Sequence, residues 1–227
     1  MWKPSTDTPA EKGLGGFHMV SCGMTKLRDR RYKTPAGQSR RTLRNSRGRI
    51  AFAMAMGIVF APAAAQEKVK LATTAGDIVI QLDSARAPQS VENFLRYVRD
   101  GHYDSTIFHR VVENFVILGG GVSVDGSEKP TRAPIPLERS GLSNARGTVA
   151  MARTVDPNSA RAQFFINVRD NAFLDAARSR DGNGYTVFGR VTSGMETVEK
   201  IRVGSTDSDS FPFVPVIIKA ASVETVR

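Results

Sequence analysis

The chain has 227 residues, 41% of them hydrophobic and 24% charged, which is the profile of a folded globular protein rather than a disordered or fibrous one. A net charge of +10 would suggest a nucleic-acid binder, but the excess is concentrated at one end. Residues 1–65 hold 12 basic and 3 acidic side chains, while residues 66–227 hold 20 and 19, so a near-neutral domain follows a basic leader and no nucleic-acid partner is expected.

The leader contains twelve apolar residues from Ile50 to Ala61 without a charge. A bilayer-spanning helix needs about 20, so no stable membrane span is expected here. Arg40, Arg41, Arg44, Arg47 and Arg49 precede this stretch, and Pro62-Ala63-Ala64-Ala65 follows it. A basic region, a short apolar region and small residues at Ala63 and Ala65 compose an export signal, with cleavage expected after Ala65. The expected domains are therefore a leader over 1–65 and a mature domain over 66–227. The basic stretch is longer than a signal needs, which places the expected start further in, at Met19 or Met24. Ser39-Arg40-Arg41-Thr42-Leu43 partly resembles a twin-arginine signal, although general secretion is the preferred expectation. The expected location is the periplasm if the cell has an outer membrane, and the exterior otherwise.

The only cysteine, Cys22, lies in the leader, and the mature domain has only His102 and His109 as histidines. No disulfide, thiolate metal site or zinc-type cluster is expected, and no metal or other cofactor.

In the mature domain, Lys68–Thr74 reads as a strand, Ala75-Gly76 as a turn, and Ile78, Ile80 and Leu82 alternate as a half-buried second strand. Val91, Phe94, Leu95 and Val98 share one helical face, with Pro88 near the start and Gly101 just past the end. Short strands follow at Ile107–Val112, Phe115–Leu118, Gly147–Ala152, Phe164–Val168 and Thr186–Val191. A second helix fits Met195–Arg202 with Ser193 as N-cap, and a last strand spans about Val214–Val226. Gly121–Asn144 is the longest irregular stretch. Many short strands with few helices predict one mainly β domain, an antiparallel barrel or sandwich.

Strict alternation in Ile107–Val112 places Phe108, Arg110 and Val112 on one face and Ile107, His109 and Val111 on the other. Taken alone, Arg110 reads as a rim arginine with its stem on apolar surface. His109 reads as a core imidazole hydrogen-bonded to backbone, since no carboxylate or hydroxyl lies within the motif to form a triad.

Taken together, Phe108-His-Arg-Val-Val112, Phe115-Val-Ile-Leu-Gly-Gly-Gly121, Gly147-Thr-Val-Ala-Met-Ala152, Ala162-Gln-Phe-Phe-Ile-Asn167, Phe173-Leu-Asp175 and Val187-Phe-Gly189 resemble the successive signature blocks of the cyclophilins, which are peptidyl-prolyl cis/trans isomerases. The resemblance runs from about Val69 to Val226. It implies an eight-stranded antiparallel β-barrel capped by two α-helices and proline-containing polypeptide substrates; the oligomeric state is open, with a monomer the default expectation for a single small barrel. It implies that Arg110 is the catalytic arginine, whose guanidinium hydrogen-bonds the prolyl substrate as its amide twists. Phe115, Phe165 and Leu174 would hold the proline ring, with Val116 and Ala152 beside them. Gln163 would hydrogen-bond substrate backbone and help hold the arginine, while Arg153 would offer its main chain. Phe173 and Tyr185 complete the implied substrate-binding set. Phe164 is expected to face the core instead.

Leu118, also in that set, stands where the family usually has Gln, and Glu113-Asn114 replaces a Pro-Gly turn, which adds a negative charge near Arg110. The expected function is isomerisation of X–Pro bonds during folding of exported proteins. The alternative is a peptide-binding chaperone or scaffold on the same fold with little turnover.

Overall fold

The computed structural model describes residues 67–224; the expected leader and its cleavage site lie outside them. The elements run β1 (Lys68–Thr73), β2 (Asp77–Leu82), α1 (Pro88–Arg99), β3 (Thr106–Val112), β4 (Val116–Ser123), β5 (Thr148–Met151), β6 (Phe164–Asn167), a single 3-10 turn at Ala172–Leu174, β7 (Val187–Ser193), α2 (Met195–Arg202) and β8 (Ile217–Glu224). All strand pairs are antiparallel, and they close in the order β1-β2-β7-β5-β6-β4-β3-β8 back to β1. The mainly β eight-stranded barrel with two helices is the expected architecture.

Period-two alternation fills the barrel. Val69 and Leu71 from β1, Ile78, Ile80 and Leu82 from β2, Val149 and Met151 from β5, and Phe164 and Ile166 from β6 all belong to one buried cluster. Helix α1 drives Phe94 into it, with ring centroids 5.1 Å from Tyr103, 5.5 Å from Phe164 and 5.1 Å from Phe188. The Tyr103 hydroxyl, fully buried, donates to the Ala162 carbonyl at 2.9 Å, which removes the penalty of an unpaired polar atom there. Helix α2 contributes Val198 and Ile201 to the same core.

Three details depart from the sequence expectation. Strand β4 runs through the triple glycine to Ser123 instead of stopping at Leu118. The glycines make room for rings: a Cβ on Gly119 would lie 2.9 Å from Phe108 Cδ1, and one on Gly120 would lie 2.7 Å from Tyr103 Cε1. Helix α2 is capped by Gly194 at φ +90° rather than by Ser193, which ends β7. Strand β8 starts at Ile217, because Val214-Pro215-Val216 remain in the preceding loop, where Pro215 brings no N–H to a ladder.

The N-terminus of α1 has no side-chain cap from its own flanking residue, Ala87. The cap comes from far along the chain. Glu138 Oε1 accepts the Gln89 N–H at 3.0 Å, and Oε2 accepts the Ser90 N–H at 2.9 Å and the Ser90 hydroxyl at 2.7 Å. A carboxylate there satisfies orphan N–H groups and complements the helix dipole. Glu138→Ala is expected to cost about 1–2 kcal/mol. Chemical denaturation should show this as a lower midpoint at unchanged slope.

Candidate active site

The outer face of the barrel carries a second, smaller apolar cluster of Val116, Ala150, Phe165, Leu174 and Val187, with Phe115, Leu118, Ala152 and Tyr185 packed against it. Pairing explains its composition. Leu118 lies opposite Phe165 and Phe165 opposite Ala150, so alternation turns these residues outward while Ile117, Phe164 and Ile166 turn inward. Phe164 is accordingly a core residue, as expected from its position beside Phe165.

Arg110 reaches this outer face because of a bulge. Phe108 pairs with Gly119 and Arg110 with Leu118, so two steps on β3 match one on β4. The strict alternation expected for Ile107–Val112 therefore fails. Phe108 stays inside with Val111, and Arg110 emerges beside Leu118. His109, the extra residue, is only half-buried rather than a core residue. Its Nδ1 has no hydrogen-bond partner among the described residues. Burial pulls its pKa below the ordinary histidine value, and the nearby Ile107 backbone opposes this in part.

Nine of the eleven expected site residues line one depression of about 140 Å³. Arg110 stands at its edge, Phe115, Val116, Leu118, Phe165 and Leu174 form apolar walls, and Ala152, Arg153 and Tyr185 complete the lining. Arg110 is exposed and makes no hydrogen bond or ion pair among the described residues. Glu113, three residues away, pairs with Arg202 at 3.7 Å, so its charge is directed at α2.

Two expected residues lie elsewhere. Phe173 does not line the depression; it is 51% exposed and stacks behind Phe115 with centroids 5.5 Å apart. Gln163 lines a neighbouring hollow that shares Leu118, Ala152 and Arg153 with the first, and it makes no hydrogen bond to Arg110. Its side chain lies directly over Gly121, where an added Cβ would sit 2.4 Å from Nε2 and 2.5 Å from Cγ. Gly121→Ala should therefore displace Gln163 and lower kcat/KM about 2–10-fold, the worth of one hydrogen bond. In a double-mutant cycle, Gly121→Ala should add nothing to Gln163→Ala.

The Arg153 side chain is more deeply engaged than the sequence suggested. Its side chain is 4% exposed, its Nε donates to the Gly184 carbonyl at 2.9 Å, its Nη1 to the Thr154 carbonyl at 2.9 Å and its Nη2 to Asp181 at 2.5 Å. Its guanidinium carbon sits 4.5 Å from the centroid of the Tyr185 ring, which in turn meets Phe165 edge-on at 5.6 Å. The N–H of Asn183 and the Arg153 guanidinium hold the Asp181 carboxyl well below the usual range. Arg153 thus fixes one wall of the pocket through its side chain.

The opposite wall rests on amides that sequence reading missed. Asn144, Asn167 and Asn171 are fully buried. Asn171 Nδ2 donates to the Phe115 carbonyl at 2.9 Å and to Asn167 Oδ1 at 2.8 Å, and the Asn171 carbonyl accepts the Leu174 N–H at 2.8 Å. Asp175 accepts the Asn144 N–H at 2.7 Å, the Asn144 amide at 3.0 Å and the Ser143 hydroxyl at 2.7 Å. Burial alone would raise the Asp175 pKa, but these donors outweigh it and hold it low. The available signal was weak: alternation puts Asn167 on the same outer face as Phe165.

No cluster of three metal-ligating side chains occurs among the described residues. Among the described residues the site offers one free cation, Arg110, beside an apolar slot, suited to gripping an amide next to a small ring rather than to attacking it.

Comparison with known proteins follows the same lines. The family described as cyclophilin type peptidyl-prolyl cis-trans isomerase/CLD matches residues 68–223. The peptidyl-prolyl cis-trans isomerase cyp18 of Streptomyces antibioticus is 53% identical over 161 residues, covering 68% of this chain and 97% of that protein. Peptidyl-prolyl cis-trans isomerase B of Escherichia coli is 48% identical over 157 residues, covering 66% and 96%. A cyclophilin type isomerase of Cryptosporidium parvum, crystallised in the presence of the dipeptide Ala-Pro, superposes with a TM-score of 0.59 at 27% identity, covering 70% of this chain and 99% of that one. The chain belongs to the cyclophilin-type peptidyl-prolyl cis-trans isomerases and is an enzyme of that class.

Proposed function

We propose that this isomerase catalyses X–Pro rotation in newly exported polypeptides, with Arg110 as its catalytic residue. Rotation about the bond faces a barrier of about 18–20 kcal/mol because amide resonance gives C–N partial double-bond character. No covalent bond need break. A donor that hydrogen-bonds the prolyl amide as it twists favours the non-conjugated form, and the free Arg110 guanidinium is placed to do this at the pocket edge. That unpaired cation beside the slot is the observation that carries the reading.

Such a charged hydrogen bond supplies about 1.5–3 kcal/mol. A 10⁶-fold acceleration needs about 8 kcal/mol, so the remainder falls to the pocket, which holds the ring and keeps water from the twisting amide. In this reading Phe115, Phe165 and Leu174 grip the ring, Gln163 and the Arg153 main chain align the flanking backbone, and Tyr185 and Phe173 stiffen the two walls. Leu118 leaves Arg110 without a side-chain amide to pre-orient it.

Export is supported by the charge split and by the short apolar stretch Ile50–Ala61 with the small residues Ala63 and Ala65 after it. The closed barrel leaves no open sheet edge for a second copy, which supports a monomer. The test is the N-terminal sequence of the protein recovered from its native cell, together with its fraction. A chain beginning at Gln66 outside the cytoplasm is expected. An intact leader on a cytoplasmic protein would overturn the export reading.

A further inference from the structure

We propose that the loop between α2 and β8 is a second contact surface for the polypeptide substrate, an ordered apolar ridge that takes apolar side chains about four residues from the isomerised proline. This rests on the reading that the substrate is an unfolded chain.

The loop is fastened to the strand that carries Arg110. The Val111 N–H donates to the Ser210 carbonyl at 2.8 Å and the Phe108 N–H to the Val216 carbonyl at 3.1 Å, so its two anchors bracket Arg110. Between them runs Phe211-Pro212-Phe213-Val214-Pro215, with Phe213 70% and Val214 85% exposed and Phe211 also at the surface. Isolated exposed apolar residues are ordinary. A run holding two phenylalanines beside the polar stretch Ser205–Ser210 is the composition of an interaction site.

The ridge is also held in shape. Asp207 Oδ1 accepts the N–H groups of Asp209 and Phe211 at 2.9 Å each, the Phe213 N–H donates to the Ser205 carbonyl at 3.1 Å, and Thr206 bridges to Pro212. Ser210 sits at φ +68°, a conformation that a non-glycine residue adopts only when its surroundings impose it. A surface ordered in advance binds without the entropy cost of ordering a flexible loop.

Continuity with the pocket identifies the occupant. The pocket lies over β4 and β6, and the loop borders β3 on the side away from β4. At about 4.8 Å per strand the separation is roughly 12 Å, or about four extended residues. A long unfolded chain with its proline in the pocket can therefore lay a flanking segment on the ridge, whereas a tetrapeptide falls short.

The experiment pairs two substrates with the Phe213→Ser/Val214→Ser variant. One substrate is a tetrapeptide with a single X–Pro bond, and the other is a protein whose refolding is limited by a proline isomerisation. The tetrapeptide kcat/KM should stay within about twofold, while kcat/KM for the refolding protein falls at least about fivefold, chiefly through KM. Unchanged catalysis of refolding, or an equal loss on both substrates, would overturn the ridge. Failure of the catalytic assignment itself would appear separately, as an Arg110→Ala variant that keeps the tetrapeptide rate.

Discussion

Replacing Arg110 by alanine is expected to lower kcat/KM for an X–Pro tetrapeptide by about 10–150-fold, the equivalent of the 1.5–3 kcal/mol carried by one charge-assisted hydrogen bond. The same substitution should leave stability within about 0.5 kcal/mol, because an exposed side chain without a partner among the described residues contributes little to the fold. The separation matters. A residue that acts by holding the barrel together would lower both quantities, whereas a residue that touches only the reacting amide lowers one. Arg110→Lys should recover only part of the rate, since an ammonium keeps the charge but lacks the planar fork that spans an amide. A protease-coupled assay measures the first effect and thermal unfolding the second.

Asn171→Ala should show the opposite balance. It removes the donors to the Phe115 carbonyl and to Asn167 Oδ1; the carbonyl keeps the Val168 N–H at 3.2 Å, while the buried Asn167 Oδ1 is left unpaired. That acceptor costs about 1–3 kcal/mol, but Asn171 Oδ1 itself has no partner among the described residues, and its removal returns part of that. A net loss of about 1–2 kcal/mol is expected, or about 2–8 °C in Tm for a domain of this size. Because Nδ2 steadies the Phe115 turn, while the backbone bond from Leu174 to the Asn171 carbonyl survives the substitution, KM for a proline peptide should rise as the Phe115 wall loosens, while kcat changes less. Urea unfolding and a KM-against-kcat comparison test the two parts. Asn171→Asp keeps the shape but removes the Nδ2 donors, and it should be at least as damaging.

These residues show what the sequence could and could not disclose. Val69, Leu71, Ile78, Ile80 and Leu82 were legible because period-two alternation is local, and α1 because its apolar positions recur at helical spacing. The grouping of Arg110 and Phe165 at one depression was legible only through short signature blocks, since an arginine in a strand is by itself a commonplace. The bulge at His109 was not legible, because a one-residue offset depends on how β4 pairs with β3 and leaves no composition mark. The glycines of β4 read as a loop, yet they serve the Phe108, Tyr103 and Phe164 rings packed against them. Glu138 on α1 and Asn171 on Phe115 act across 48 and 56 residues of chain, a range that no local pattern spans. The site was predicted as a list of substrate contacts. Arg153 and the buried asparagines show that much of its rigidity comes from side chains that the list held for another reason or omitted.

In the proposed mechanism, the Arg110 guanidinium beside the apolar slot lowers the barrier to amide rotation. The most direct measurement is NMR exchange on an X–Pro peptide with a small molar fraction of the domain, which reads binding and cis/trans interconversion in one sample. Peptide resonances should show cis/trans exchange far faster than in free peptide, and Arg110→Ala should keep the binding shifts while losing most of the acceleration. Binding shifts with no faster exchange in the unmodified protein would contradict the account.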